Sequence, residues 1–229
     1  VGVNSEPAIL AFDTSAAHCA AAVFAGGAVR QAIVEPMAKG QAERILGLCE
    51  EVLAALNLSY QDLTALAVGV GPGNFTGIRI SVSAARGLAL GLGIPAIPVS
   101  AFEMLRDPFG PAANAAELVV VEAPRGAAYA QQFRYGRPTD TPMMIDPEAP
   151  PRELQQDNMM VTGFRAEEIA KHFGATAHLP EIHNPAEQLV RMALWKLAAK
   201  HDIDTRPAPL YVRAPDAAPA RDTPPKILT

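Results

Sequence analysis

Apolar residues recur along this chain in two rhythms. Residues 8–12 and 19–24 are short, nearly unbroken apolar runs; Asp13-Thr14-Ser15 follows the first and Gly26-Gly27 the second. That pattern predicts a strand, a polar turn and a second strand. Over residues 38–56 the period lengthens, with Ile45, Cys49, Val52 and Leu56 at steps of four, three and four. Leu46 and Leu53 lie beside them and Glu50 and Glu51 opposite, which predicts an amphipathic helix with a wide apolar face. A buried strand over 65–70 then runs into Gly71-Pro72-Gly73-Asn74-Phe75-Thr76-Gly77, and a helix over 78–92 leaves it. This helix carries apolar residues almost all round, including Ile78, Ile80, Val82, Ala85, Leu88 and Leu92, so it must be sandwiched inside the core or between the core and another protein.

The next strand, 94–99, is interrupted by Pro95 and Pro98, which suits a sheet edge. Ser100 and Glu103 form a capping box before a short helix. Beyond Pro108-Phe109-Gly110-Pro111 the composition shifts, and strands are predicted at 118–121, 127–133 and 159–162. Asn184 and Pro185 suit the cap and first turn of a helix to about residue 201, with Leu189, Met192, Ala193 and Trp195 inward. Six prolines after Arg206 predict an extended or disordered tail. No repeat at a fixed short period is present, and strands alternating with helices in two unequal halves point to an α/β fold of two related subdomains. The division expected is 1–104, completed by the helix over 185–201, then 105–213, then a proline-rich tail over 214–229.

With 229 residues, 49% hydrophobic and 19% charged, the chain has material for one large core or two smaller ones. A net charge of −5 leaves no general excess of cations for phosphates, so unaided nucleic-acid binding is not expected. No run approaches the roughly 20 apolar residues of a membrane span. A cytoplasmic protein with no membrane association is the expectation. Two cysteines, Cys19 and Cys49, stand without a CxxC partner, and five scattered histidines include no HxxxH or HExxH pair, so no metal site is expected.

Three segments could carry chemistry. A strand that ends in Gly-Pro-Gly and restarts as a helix exposes N–H groups at a helix N-terminus, where an anion can bind. Gly71, Gly73, Asn74, Thr76 and Gly77 are thus candidate phosphate contacts, although the loop matches neither a Walker A nor a GxGxxG pattern, and a simple tight turn explains it equally well. Asp13 and Thr14, just after the first strand, are candidate nucleotide contacts, with an Asx-turn as the commoner explanation. Arg79 and Arg86, seven residues apart on one helix face, could hold an anion or a partner's carboxylate, or lie on a solvated stripe.

These residues together resemble one family. Ile9-Leu10-Ala11-Phe12-Asp13-Thr14-Ser15, the run GPGNFTGIR over 71–79, and residues 89–95 are in register with the TsaB (YeaZ) family, and Pro209-Leu210-Tyr211-Val212-Arg213 looks like its closing Pro-x-Tyr-x-Arg element. The resemblance implies the two-subdomain fold of actin, hexokinase and Hsp70. It implies a paralogue of TsaD, which transfers threonylcarbamoyl to the adenosine beside the anticodon of tRNAs reading codons that begin with A, using a metal held by an HxxxH pair. Here the corresponding stretch reads Lys39-Gly40-Gln41-Ala42-Glu43-Arg44, with Gln41 where many relatives carry a single histidine. A second departure is Glu122-Ala123-Pro124-Arg125, where many relatives have Asp-Ala-Arg.

A non-catalytic partner of TsaD is therefore implied, with no catalytic residue of its own, joined by TsaE in a larger complex and pairing with itself when alone. Nucleotide is not expected on the isolated chain; ATP or ADP would belong to the interface of the complex, and tRNA would be reached only through it. The expected docking surface comprises Ile45, Leu46, Cys49, Val52, Leu53 and Leu56 of the first helix and Ile78, Arg79, Val82 and Arg86 of the second. The alternatives are a self-sufficient ATP-dependent phosphotransferase holding nucleotide through Asp13, Thr14 and the glycine loop, or a peptidase.

Overall fold

A computed structural model describes residues 7–107, 109 and 116–212. Most of the 108–111 break, Arg213 and the 214–229 tail lie outside the described residues. Strands β1 (Ile9–Asp13), β2 (His18–Ala25) and β3 (Ala28–Pro36) lead into helix α1 (Gln41–Ala54). Strand β4 (Ala65–Gly69), helix α2 (Phe75–Leu92), strand β5 (Ala96–Val99) and the short helix α3 (Ala101–Met104) follow. The sheet order is β3-β2-β1-β4-β5, antiparallel across β3-β2-β1 and parallel across β1-β4-β5.

The second half repeats that connectivity. Strands β6 (Glu117–Glu122), β7 (Ala128–Arg134), β8 (Arg137–Pro138), β9 (Met143–Ile145), β10 (Met160–Gly163) and β11 (Thr176–His178) form a sheet ordered β11-β10-β6-β7-β8, with β9 paired to β7. Its antiparallel pairs are β6-β7 and β7-β8, its parallel pairs β6-β10 and β10-β11. Helix α4 (Ala166–Phe173) crosses between β10 and β11 as α2 crosses between β4 and β5. This is an α/β pair of mixed sheets with flanking helices, the architecture the sequence pattern predicts.

The two-residue period of strands sorts side chains between layers. On the first sheet Leu10, Phe12, Cys19, Ala21, Val23, Leu66 and Val68 point to α1 and α2. Ile9, Ala11, Ala20, Ala22, Ala65 and Ala67 point the other way, against Leu189, Val190, Met192 and Ala193 of helix α5 (Pro185–Ala199). The alanines let α5 approach the sheet closely. Helix α5 follows the second sheet in sequence but packs on the first. On β6, Leu118 and Val120 face α4, whereas Val119 joins Phe102 and Phe133.

Several elements differ from the sequence expectation. Gly40 adopts a left-handed conformation, so α1 starts at Gln41 rather than near 38. Asn74 caps α2, which therefore begins at Phe75, inside the glycine run. Strand β3 was not foreseen, because its half-buried edge position leaves polar and apolar residues mixed. On α5, Trp195 is only half-buried, and the inward position next to it is taken by Lys196, whose ammonium meets Glu103 at 2.8 Å and the Pro98 carbonyl at 2.6 Å. Residues 207–212 are laid against the first subdomain, Leu210 N–H donating to the Val70 carbonyl at 2.8 Å. Among the described residues, no helix is long and apolar enough to cross a membrane.

Candidate functional site

The β1–β2 turn and the glycine loop meet at the C-terminal end of β1 and β4, bringing Asp13 to Gly69, Thr14 to Gly77 and Ser15 to Gly73 and Asn74. Both sides of the meeting are already satisfied. The buried Asp13 carboxylate accepts from Ser15 N–H at 3.1 Å and Ser15 Oγ at 2.9 Å, and pairs with His18 Nε2 at 2.7 Å. Thr14 Oγ1 donates to the Gly77 carbonyl at 2.7 Å, and Asn74 N–H donates to the Ser15 carbonyl at 2.6 Å. The Asn74 side chain accepts from Thr76 N–H at 3.0 Å and Gly77 N–H at 3.1 Å. These are the free donors of the first turn of α2, the ones an incoming phosphate would use.

The glycines serve closeness. A β-carbon on Gly69 would overlap the Asp13 carboxylate, one on Gly73 the Ser15 carbonyl, and one on Gly77 the Thr14 carbonyl. The loop thus closes directly on the backbone of the β1–β2 turn. Gly71, with φ +86°, lets the chain turn out of β4, and its carbonyl accepts from Ala101 N–H. Thr76 is exposed.

Gln41 is buried. Its Nε2 donates to the carbonyls of Ala16 and His18, each at 2.7 Å, and stitches α1 to the β1–β2 turn. Among the described residues no group of three His, Cys, Asp or Glu side chains could hold a metal ion. Cys19 and Cys49 are buried and free; burial pushes the Cys19 thiol up to about 11 and Cys49 further in the same direction, which keeps both as thiols and poor nucleophiles.

The expected docking residues divide. Ile45, Cys49, Val52, Leu53, Ile78 and Val82 are at most 2% exposed, within the core between sheet and helices. The sheet, together with the packing of α1 against α2, covers the broad apolar face that the sequence had offered to a partner, so these six side chains meet no other protein in this conformation. Leu56 is half-buried and packs against the same core. Leu46 remains 45% exposed, and Leu90, on α2, is 87% exposed. With Thr76, Arg79, Ser83 and Gly87 they form the outer face of the α1–α2 layer.

Arg79 and Arg86 hold this chain's own C-terminal segment. Arg86 Nε donates to the Pro207 carbonyl at 2.6 Å, and Arg79 Nε donates to Tyr211 Oη at 2.9 Å. The Arg79 guanidinium lies 3.8 Å from the Phe75 ring centre, and Phe75 stacks on Tyr211 at 4.8 Å. Sequence reasoning could have placed the Asn74 cap, since asparagine precedes a helical run, but partners more than 120 positions away had no local signal.

The family described as TsaD, tRNA N6-adenosine threonylcarbamoyltransferase, matches residues 34–146. The chain is similar to the tRNA threonylcarbamoyladenosine biosynthesis protein TsaB of Escherichia coli (strain K12), 30% identical over 220 residues that take in 90% of this chain and 94% of that protein. It is also similar to the protein of the same description from Bacillus subtilis (strain 168), 31% identical over 132 residues, 56% of this chain and 55% of that one. Among solved structures, YeaZ from Pseudomonas aeruginosa superposes with a TM-score of 0.69 at 23% identity, covering 90% of this chain and 99% of that one. At that identity the likeness speaks for the fold alone.

Proposed function

We propose, because this chain belongs to the TsaB family of tRNA threonylcarbamoyladenosine biosynthesis proteins, that it is the non-catalytic partner of a TsaD-type transferase in making that nucleoside. The full-length likeness to the Escherichia coli protein carries this role. Two features of the site support it. The glutamine at the histidine position is consumed in holding the β1–β2 turn, and the helix donors that would grip a phosphate are taken by Asn74 and Ser15. The same occupancy disfavours a self-sufficient phosphotransferase, and buried, protonated thiols give a peptidase no nucleophile.

The subunit works in the cytoplasm, pairs with TsaD through the outer face of α1 and α2, joins TsaE in the larger assembly, and reaches tRNA only as part of it. The same face serves for self-pairing when TsaD is absent, so the two associations compete. Any ATP or ADP belongs to the interface of the complex. A standard interface of about 1,600 Å2 with an apolar centre is enough for stable pairing. Leu46→Glu combined with Leu90→Glu tests the face: both side chains point outward, so the melting temperature should hold while co-purification with TsaD is lost. Undiminished co-purification would remove α1 and α2 from the interface. Leu53→Glu gives no such information, since a carboxylate placed in that core costs several kcal/mol, on the order of 3 or more, and unfolds the protein.

A further inference from the structure

We propose that residues 207–212 form a latch across α2, with Tyr211 acting as a positioning residue that holds Arg79 ready for a carboxylate on the partner. The proposal rests on α2 being a docking helix. The segment runs antiparallel to the helix, since Pro207 lies at Arg86 and Tyr211 at Phe75 and Arg79. It is fastened from below as well: Pro207 is buried, Leu210 N–H reaches the Val70 carbonyl, and the Leu210 side chain packs both against the α1–α2 core and against Phe102, Val119 and Phe133.

At its end the latch builds a three-part stack. Phe75 stacks on Tyr211, the Arg79 guanidinium lies 3.8 Å from the Phe75 ring centre and 5.9 Å from that of Tyr211, and the tyrosine hydroxyl accepts from Arg79 Nε. Stacking and the Nε bond fix the guanidinium plane, yet Arg79 is exposed and, among the described residues, its two Nη atoms donate to no acceptor. A planar cation held this way presents its remaining donors to a carboxylate in bidentate fashion, without first giving up side-chain freedom. Charge points to the same occupant. Helix α2 contains two arginines and no acidic residue, in a chain whose net charge is −5. The complement is a TsaD surface with an aspartate or glutamate facing the N-terminal turns of α2.

If Tyr211 acts through Arg79, its removal matters only while Arg79 is present. Titration calorimetry of purified TsaD into the full-length chain should show Tyr211→Ala weakening binding about three- to tenfold, the effect of freeing one long side chain. Tyr211→Phe, which keeps the stack, should fall between that variant and wild type. Arg79→Ala should weaken binding at least as much, and Arg79→Ala with Tyr211→Ala should be no weaker than Arg79→Ala alone. Melting temperatures should stay near wild type, since Tyr211 is 38% exposed. Losses that multiply in the double variant, Tyr211→Ala binding within twofold of wild type, or affinity that falls only in step with melting temperature would each overturn the latch. If wild type itself does not bind TsaD, the docking role fails and the latch with it, an outcome separate from the other three.

Discussion

Gly77 has no room for a β-carbon, because the Thr14 carbonyl occupies that space and the Thr14 hydroxyl donates back to the Gly77 carbonyl. Gly77→Ala must therefore push the β1–β2 turn off the start of α2. Overpacking of this kind costs about 1–3 kcal/mol, and for a chain of this size each kcal/mol is worth about 2–4 °C of melting temperature. Differential scanning calorimetry should register a drop of several degrees; a melting temperature within a degree of wild type would show that the contact is slack. The glycine run was legible in the sequence as a tight turn, and its phosphate-cradle alternative was legible too. The fit of the run against residues some sixty places earlier is what no local pattern encodes. Asp13 and Thr14 bond to Ser15, His18 and Gly77, partners that lie close by in sequence or across the glycine loop.

At the scale of elements, α1 is tied to its surroundings by Arg44, which forks to Glu35 on β3 and to Glu51 two turns further along the helix. Arg44 holds both carboxyls below the ordinary 4.5, chiefly through these hydrogen bonds. A carboxyl with a depressed folded pKa contributes stability that is present above its unfolded pKa and lost as pH falls through the folded one. Thermal melts across the acid range should thus show wild type losing stability below about pH 4.5, and Arg44→Met should flatten that part of the profile. Parallel profiles would mean the fork is an exposed pairing worth nothing measurable, as many surface ion pairs are. Long periodic elements such as α1, α2 and α5 were legible because burial imposes its period on them, and β10 was legible as a short apolar run, whereas α4 and the exposed β11 were not. Strand β3 was not, because an edge strand is only half-buried. The docking face failed for a related reason: a wide apolar stripe says that a helix is covered, but not by what, and here the five-stranded sheet and the neighbouring helix cover it.

The whole molecule is one connectivity used twice, β3-β2-β1-β4-β5 and β8-β7-β6-β10-β11, without a repeat visible in the amino acids. Each half needs only the alternation of strand residues to specify its sheet, so the duplicated plan survives extensive change of sequence. The halves meet where Phe102 packs on Val119 and Phe133 and where Gln188 of α5 donates to the Arg106 carbonyl at 2.9 Å; the buried Lys196–Glu103 pair fastens α5 within the first half, and a second buried pair, Arg106 with Glu117, whose other carboxylate oxygen accepts from Thr162 Oγ1 at 2.6 Å, lies in the second. The exposed outer face of α1 and α2, with Leu46 and Leu90 on it, is the surface we propose for holding a partner. On the proposed role, threonylcarbamoyladenosine formation depends on this chain without this chain performing the transfer. The direct measurement is reconstitution from purified TsaD, TsaE, the threonylcarbamoyl-adenylate synthase, ATP and tRNA, scoring the modified nucleoside with and without this protein. The account predicts that product forms only when this chain is present and that the chain alone with the same substrates makes none; equal product in its absence would contradict it.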